Sequence, residues 1–208
     1  MIFQSLVVGP LQVNCFVLGC EKTGEAIVID PGGDVDDILQ FLAKANLNLK
    51  YILNTHSHLD HVGGNADLKE NTSAKIIIHS LDAPDITNIS SHGLLFGLRV
   101  KDSPPADILI EDGDEIVVGE EIKLKTLHTP GHSRGSCSFL LDGYDVVFVG
   151  DTLFAGSIGR TDLPGGDYNT LINSVRTKLF TLPDDFKALP GHGPQTTIGY
   201  EKKYNPFF

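Results

Sequence analysis

The chain has 208 residues, enough for one well-cored domain or at most two small ones. Its 41% hydrophobic and 21% charged residues are typical of a soluble globular protein. Twenty-seven acidic against sixteen basic residues give a formal net charge of −11, which argues against nucleic acid or an anionic membrane as a partner.

The cysteines indicate the compartment. Cys15, Cys20 and Cys137 form no C-x-x-C pair and are odd in number, so the sequence predicts no disulfide framework. A reducing environment is their natural setting, and we expect a cytoplasmic protein. The start of the chain lacks the basic region of a signal peptide, and no apolar run approaches the roughly 18 to 20 residues of a membrane helix.

The first half of the chain is predicted as short strands separated by two helices. The strands are expected at 2–8, 12–18, 25–30, 50–54 and 75–79. The first helix follows Asp34, which we expect to cap it, and closes at Asn46. The second begins around Gly63 and ends near residue 71. Residues 80–106, which contain three prolines, are predicted to be an irregular segment of the kind that often forms a lid or binding loop.

The second half is predicted as hairpin strands followed by helices. The strands are expected at 107–110, 115–118, 121–128, 136–141, 145–149 and 186–189. One helix runs from about Tyr168 to Phe180 and a short one spans 198–204. Each half then forms a sheet whose helices can cover only its outside, so the two mixed sheets pack face to face. The predicted fold class is α+β, an αββα four-layer sandwich, in a single domain over residues 1–208.

Residues 55–61, Thr-His-Ser-His-Leu-Asp-His, follow the predicted strand at 50–54 and concentrate metal-type ligands. The candidates are His56, His58, Asp60 and His61. Imidazole with carboxylate suits zinc, iron or manganese and suits calcium poorly, and a zinc finger would require cysteines. The alternative is a solvated loop that happens to be rich in histidine, which ligands elsewhere in the chain argue against.

Three further junctions between a strand and a loop carry ligands of the same kind. They are His132 in H-T-P-G-H, Asp151 in G-D-T-L-F and His192 in the last P-G-H. Loops at one edge of a rigid scaffold converge, so these side chains can meet the first four. Seven side chains suffice for two divalent metal ions if Asp151 bridges them, at the separation of roughly 3.5–4 Å typical of two-metal hydrolases. Zinc is the first choice, with iron or manganese as alternatives.

These motifs resemble those of the metallo-β-lactamase superfamily, and within it the short glyoxalase II-like (hydroxyacylglutathione hydrolase-like) proteins. The resemblance spans residues 26–193 and implies the αββα sandwich. It also implies a ligand set for each ion: His56, His58 and His132 for the first, Asp60, His61 and His192 for the second, with Asp151 bridging. Asp30 would support the ligands from behind. Arg160, on a Gly-rich loop, would bind the carboxylate of an anionic substrate.

The activity that the resemblance implies is hydrolysis of a small-molecule thioester, such as the glutathione conjugate S-lactoylglutathione, by a hydroxide that bridges the metals and is aligned by Asp60. A thiolate, from a thiol of pKa about 8.5, leaves with little help from an acid. The alternatives are a persulfide dioxygenase with a single iron, and a lactonase or other ester hydrolase of the superfamily. Full-length glyoxalase II continues after the last histidine with a helical region that contacts glutathione. Only sixteen residues follow His192, so we expect weaker glutathione binding or a different thioester.

Four other residues of metal-binding type are predicted to have ordinary roles. His79 ends a strand and is expected to be a satisfied structural histidine. His92 is expected to be a solvated loop residue, and His128 to pack behind the site. Cys137 lies in an alternating strand and is expected to be buried as a small hydrophobic side chain.

Overall fold

The computed structural model describes residues 1–95 and 97–208 and contains two six-stranded sheets. In spatial order the first sheet consists of β1 (Ile2–Val8), β2 (Val13–Gly19), β3 (Glu25–Ile29), β4 (Asn48–Leu53), β5 (Lys75–His79) and β6 (Ile108–Ile110). Strands β1 to β3 are antiparallel and β3 to β6 are parallel. The sheet is therefore mixed, as predicted.

The second sheet is also mixed. In spatial order it consists of β14 (Thr196–Thr197), β13 (Lys187–Pro190), β10 (Val146–Gly150), β9 (Cys137–Leu141), β8 (Ile122–His128) and β7 (Glu115–Val118). Its pairs are antiparallel except that of β10 with β13, which is parallel. A small separate hairpin joins β11 (Leu153–Phe154) to β12 (Ser157–Ile158).

The helices lie between the strands in the sequence. They are α1 (Val35–Lys44), α2 (Leu59–Val62), α3 (Asn65–Thr72), α4 (Ile89–Leu95), α5 (Tyr168–Ser174) and α6 (Ile198–Tyr204). A 3₁₀ turn at Asp85–Asn88 precedes α4, and a π-helical turn at Val175–Leu179 extends α5. Within the part of the chain that the structure describes, no helix is long and apolar enough to cross a membrane.

The layering follows from the period of two along each strand. Leu53 and Ile77 face the second sheet and pack in one core with Phe139 and Phe148. Their strand neighbours face the opposite way, and Ile52 joins the core beneath α1 and α3. On the far side, the outward residues of β10 and β13 form a third core with α5. Helices on the outside of two facing sheets give the αββα sandwich, which confirms the predicted fold class.

Residues 80–106 are more regular than predicted. The buried side chains of Ile86 and Ile89 join the core beneath the first sheet and hold the 3₁₀ turn and α4 against it. The carboxylate of Asp102 accepts hydrogen bonds from the backbone N–H and the hydroxyl of Ser90, which fastens the first turn of α4. The prediction of an irregular segment was wrong here because tertiary burial, rather than helix propensity, stabilises this short helix.

Two further predictions about helices need correction. Asp34 precedes α1 but does not cap it, because its backbone is left-handed (φ 45°) and its carboxylate instead accepts a hydrogen bond of 2.8 Å from the N–H of Gly9. The helix predicted from Tyr168 to Phe180 is α-helical only to Ser174. Its last turn, Val175–Leu179, widens to the π form.

Candidate metal centre

Every predicted ligand lies in a segment that follows the end of a strand. Strand β4 leads into His56 and His58, and α2 then carries Asp60 and His61. On the second sheet, the residues that follow β8, β10 and β13 are His132, Asp151 and His192. The seven side chains meet in three overlapping groups of potential ligand atoms, and within each group these atoms lie within 4.8 Å of one another. The structure therefore brings together the whole set that the sequence identified.

The first group contains three histidines, His56, His58 and His132. The Nε2 atom of His132 lies 2.8 Å from Nδ1 of His58 and 3.2 Å from Nε2 of His56. His56 and His132 are buried, and His58 is partly exposed. Ring nitrogens this close to one another must either share a proton or face a common cation.

The second group contains Asp60, His61 and His192. The Nε2 atom of His192 lies 3.0 Å from Oδ2 of Asp60, and Nε2 of His61 lies 3.7 Å from the same oxygen. The side chain of His61 is fully buried, whereas those of Asp60 and His192 are 17% and 28% exposed. The cluster therefore opens to solvent on the side of Asp60 and His192.

Asp151 lies between the two groups. Its Oδ1 is 3.4 Å from Nε2 of His61, and its Oδ2 is 3.6 Å from Nε2 of His132 and 3.8 Å from Nε2 of His192. The Oδ1 atom and Nε2 of His61 are buried and have no hydrogen-bond partner. Buried polar atoms are rarely left unpaired, so these two atoms fit a cation that binds between them.

Gly191 leaves room for the cluster. A Cβ atom at this position would lie 2.3 Å from Oδ1 of Asp151 and 2.6 Å from Cε1 of His61. Any side chain here would push these two groups apart. The close approach of the backbone to them requires glycine.

The buried carboxylate of Asp30 orients two of the histidines. It accepts hydrogen bonds from the N–H and the hydroxyl of Thr55 (2.8 and 2.7 Å) and from Nδ1 of His61 (2.9 Å). The Thr55 hydroxyl oxygen in turn lies 3.0 Å from Nδ1 of His56. Since this hydroxyl donates to Asp30, it accepts from His56. In the neutral form both rings then carry their proton on Nδ1 and turn the lone pair of Nε2 towards the cluster.

His132 is oriented in the same way by a backbone group. Its Nδ1 donates a 2.8 Å hydrogen bond to the carbonyl oxygen of Arg160. A carbonyl can only accept, so the neutral His132 ring presents the lone pair of Nε2 to the cluster. In its neutral form, each of these three rings therefore has the tautomer that a metal ligand needs.

Comparison with known proteins identifies the family. The family model of the metallo-beta-lactamase superfamily matches residues 8–192. The chain belongs to the metallo-beta-lactamase superfamily. It is 40% identical over 208 residues to the hydroxyacylglutathione hydrolase GloC of Haemophilus influenzae, covering 100% of this chain and 98% of that protein. The predicted membership is therefore confirmed, and the protein is a metal-dependent hydrolase of this superfamily.

Two solved structures are similar to this chain over nearly their whole length. The B3 metallo-beta-lactamase BLEG-1 has a TM-score of 0.92 and 36% identity, with 99% of each chain covered. TTHA1623, solved in a di-iron-bound form, has a TM-score of 0.90 and 36% identity, with 99% of this chain and 100% of that chain covered. The fold of this chain is thus the metallo-beta-lactamase fold.

The carboxylates of the candidate metal centre shift the pKa values of the histidines beside them. Burial opposes the charged form of His61, yet the carboxylates of Asp151, Asp30 and Asp60 raise the pKa of its imidazole well above 6.5. The hydrogen bond to Asp60 likewise raises the pKa of His192. Burial would raise the pKa of Asp60, but the charges on His61 and His192 lower it below its usual value. These shifts favour the protonated forms of both histidines beside ionised carboxylates.

In the first ligand group the histidine pKa values are lowered instead of raised. Burial lowers the pKa of His56 well below 6.5, and the neighbouring charge of His61 adds to this effect. Burial and the charge of His132 lower the pKa of His58 to about 3. Both rings are therefore neutral across the physiological range and need lose no proton before they bind a metal.

The side chain of Arg160 has a partner that the sequence did not indicate. Its guanidinium makes a two-pronged ion pair with the exposed carboxylate of Asp162, at 2.8 Å for each hydrogen bond. Only its backbone carbonyl touches the metal cluster, through His132. Binding of an anionic substrate by Arg160 stays a prediction, and it would require the guanidinium to exchange Asp162 for that substrate.

The remaining residues of metal-binding type lie outside the three groups. His79 is buried and stacks on His128, with ring centroids 4.1 Å apart. Nε2 of His128 lies 2.9 Å from the carbonyl oxygen of Arg134, so this ring contacts the backbone two residues beyond His132. Cys137 is buried in the core between the sheets. The side chain of His92 lies outside the described residues.

Sequence reasoning missed residues that position the ligand loops. Asn14 holds the loop of His192, because its side-chain amide donates to the carbonyl oxygens of Pro190 and Gly193. Asp82 is buried and contacts two other ligand loops. Neither residue belongs to a motif, and their partners are 25 or more positions away in the sequence. No local pattern could have identified them.

Proposed function

We propose that this protein is a binuclear metal-dependent thioesterase that hydrolyses a small-molecule thioester such as S-lactoylglutathione. Zinc is the expected metal, with iron or manganese as alternatives that share the same donor preference. The observation that carries the proposal is the position of Asp151 between two groups of ligands, with a buried oxygen and a buried His61 nitrogen left unpaired. The similarity to the hydrolase GloC supports the choice of a thioester.

The chain's own residues would divide the chemistry between them. When bound, two divalent cations supply an acidified water and polarise the carbonyl of the substrate. His56, His58 and His132 would hold one ion, and Asp60, His61 and His192 the other. Asp60 would also orient the attacking water, because its carboxylate remains ionised and lies on the open side of the cluster. A thiolate needs little protonation to leave, which fits a site whose buried histidines are committed to the metals.

Arg160 and the net charge of the chain agree with a small anionic substrate. Arg160 is the basic side chain that we propose for its carboxylate, once released from Asp162. The net charge of −11 opposes binding to nucleic acid or an anionic membrane. The metal centre itself would then provide the positive charge that attracts the substrate.

The proposal is tested by elemental analysis of the purified protein together with a panel of substrates. We expect close to two metal ions per chain, with hydrolysis of S-lactoylglutathione exceeding that of lactones and β-lactams. Near one iron per chain with oxygen consumption on glutathione persulfide would instead identify a dioxygenase. Metal-loaded, folded protein that leaves every thioester intact would refute the proposed substrate class.

A further inference from the structure

Asp82 connects the two loops that carry the first ligand group, one with His56 and His58 and the other with His132. Its side chain is almost fully buried, although it belongs to the turn after β5 and not to any ligand loop. One oxygen, Oδ2, accepts hydrogen bonds from the N–H of Ser57 (2.9 Å) and the hydroxyl of Ser133 (2.7 Å). The other, Oδ1, accepts from the N–H of Gly135 at 2.6 Å. Both oxygens are therefore used by donors that the protein supplies.

These donors come from two loops on different sheets. Ser57 lies between the ligands His56 and His58, after β4 of the first sheet, whereas Ser133 follows the ligand His132, after β8 of the second sheet. A single carboxylate thus fixes the distance between the loops at the level of the three histidines. The Nε2 atom of His132 lies 2.8 Å from Nδ1 of His58, so a small shift of either loop would change the donor geometry.

The second ligand group is held by a different carboxylate. Asp30 accepts a hydrogen bond from Nδ1 of His61 and has no hydrogen bond to the loop of His132 among the described residues. Asp82 likewise has none to Asp60, His61 or His192 in that same part of the chain. Asp82 can therefore be changed without removing a hydrogen bond to the second group.

We propose that Asp82 is a positioning residue that sets the metal affinity of the group formed by His56, His58 and His132. This inference rests on the proposed function, because it takes that group to be one of two metal sites. Asp82 does not touch the metal or the substrate. It acts by keeping the two ligand loops at the separation that one ion requires, as outer partners of metal ligands do elsewhere.

Replacement of Asp82 by asparagine is the sharpest perturbation. The amide would keep the size of the side chain but convert one oxygen to an NH₂ group. Because donors face both oxygens, either orientation of the amide would place NH₂ against the N–H of Ser57 or that of Gly135. Loss of such an outer partner typically lowers metal affinity about 10- to 100-fold, and here the loss should affect one site only.

The test is a Zn²⁺ titration of metal-free, full-length protein. NMR of the histidine ring nitrogens monitors binding at each histidine separately. We expect Asp82→Asn to weaken Zn²⁺ binding about 10- to 100-fold at His58 and His132, with unchanged binding at His192. Asp102→Asn is the control, since Asp102 lies in the same segment and, among the described residues, its carboxylate accepts hydrogen bonds from Ser90 alone. It should leave both sites unchanged.

A second variant covers the case in which Asp82→Asn does not fold. Ser133→Ala removes one of the three hydrogen bonds to Asp82 and should cause a smaller loss at the same histidines. Wild-type affinity in the folded variant, or an equal loss at both sites, would overturn the role of Asp82. Wild-type protein that binds no Zn²⁺ at these histidines would overturn the proposed function as well, so the two failures are distinguishable.

Discussion

The hydroxyl of Thr55 links two side chains of the candidate metal centre, Asp30 and His56. It donates to Asp30 at 2.7 Å, and its oxygen accepts from His56 at 3.0 Å. Thr55 is 2% exposed, so water cannot replace either bond. Valine has nearly the same shape and no hydroxyl. Thr55→Val therefore tests these two hydrogen bonds with little change in packing.

The expected loss of stability in Thr55→Val follows from the two hydrogen bonds that are removed. A hydrogen bond to a charged group contributes about 1.5–3 kcal/mol, and a buried N–H left without a partner costs about 1–3 kcal/mol. We expect Thr55→Val to lower the free energy of unfolding of the metal-free protein by at least about 2.5 kcal/mol. For a chain of this size that corresponds to a fall of about 5–10 °C in Tm. Metal affinity should also fall, about 10- to 100-fold, because His56 is no longer held in one tautomer.

The assays are thermal unfolding of the metal-free protein and competition for Zn²⁺ with a chelator. Thr55→Ser is the matched control, because it keeps the hydroxyl and loses only a methyl group. Serine should retain most of the metal affinity even where it loses some stability. If valine bound Zn²⁺ as tightly as the wild type, or if serine and valine lost the same affinity, the tautomer argument would be wrong.

Further predictions concern the metal centre. The neighbouring carboxylates raise the pKa of His61 well above 6.5, which favours the protonated ring in the metal-free protein. Calorimetry in buffers of different ionisation heat should show proton release on metal binding and weaker binding as the pH falls; heats independent of buffer would contradict this. Gly191→Ala should abolish metal binding because a Cβ atom there would lie 2.3 Å from Oδ1 of Asp151; wild-type metal content in the folded variant would contradict this. Asp60→Asn should reduce turnover far more than metal content; equal losses would argue against orientation of water. Arg160→Ala should raise KM for an anionic thioester about tenfold and leave kcat and a neutral ester unchanged, with unchanged KM excluding the anchor.

The strands and the ligands were predictable because their signals are local. Short apolar runs mark β4 and β5, and His56 to His61 lie within one short segment whose composition alone indicates a metal. The convergence of the second-sheet ligands followed from their common position at strand ends. In these cases the chemistry and the secondary structure are read from the same few residues.

The rest depended on contacts between distant parts of the chain. Helix α4 contains serine and glycine and has little propensity of its own, so only burial of Ile86 and Ile89 explains it. Arg160 was assigned from its loop, but a carboxylate two residues away occupies its guanidinium. Asp82 carries no local signal, since its partners follow 51 and 53 positions later or precede it by 25. Such residues become visible only once the two sheets are packed.

The division of the ligands between the sheets links metal binding to the fold itself. Each group takes two ligands from the loop after β4 and one from the second sheet, either His132 or His192. Neither sheet alone contains a complete group, so a bound ion would hold the sheets together at their open edge. The carboxylates that position the ligands, Asp30 and Asp82, both lie in loops of the first sheet. Asp82 also accepts a hydrogen bond from Ser133 in a loop of the second sheet. The core between the sheets fixes their separation, and at the ligand edge Asp82 adds hydrogen bonds to one loop from each sheet.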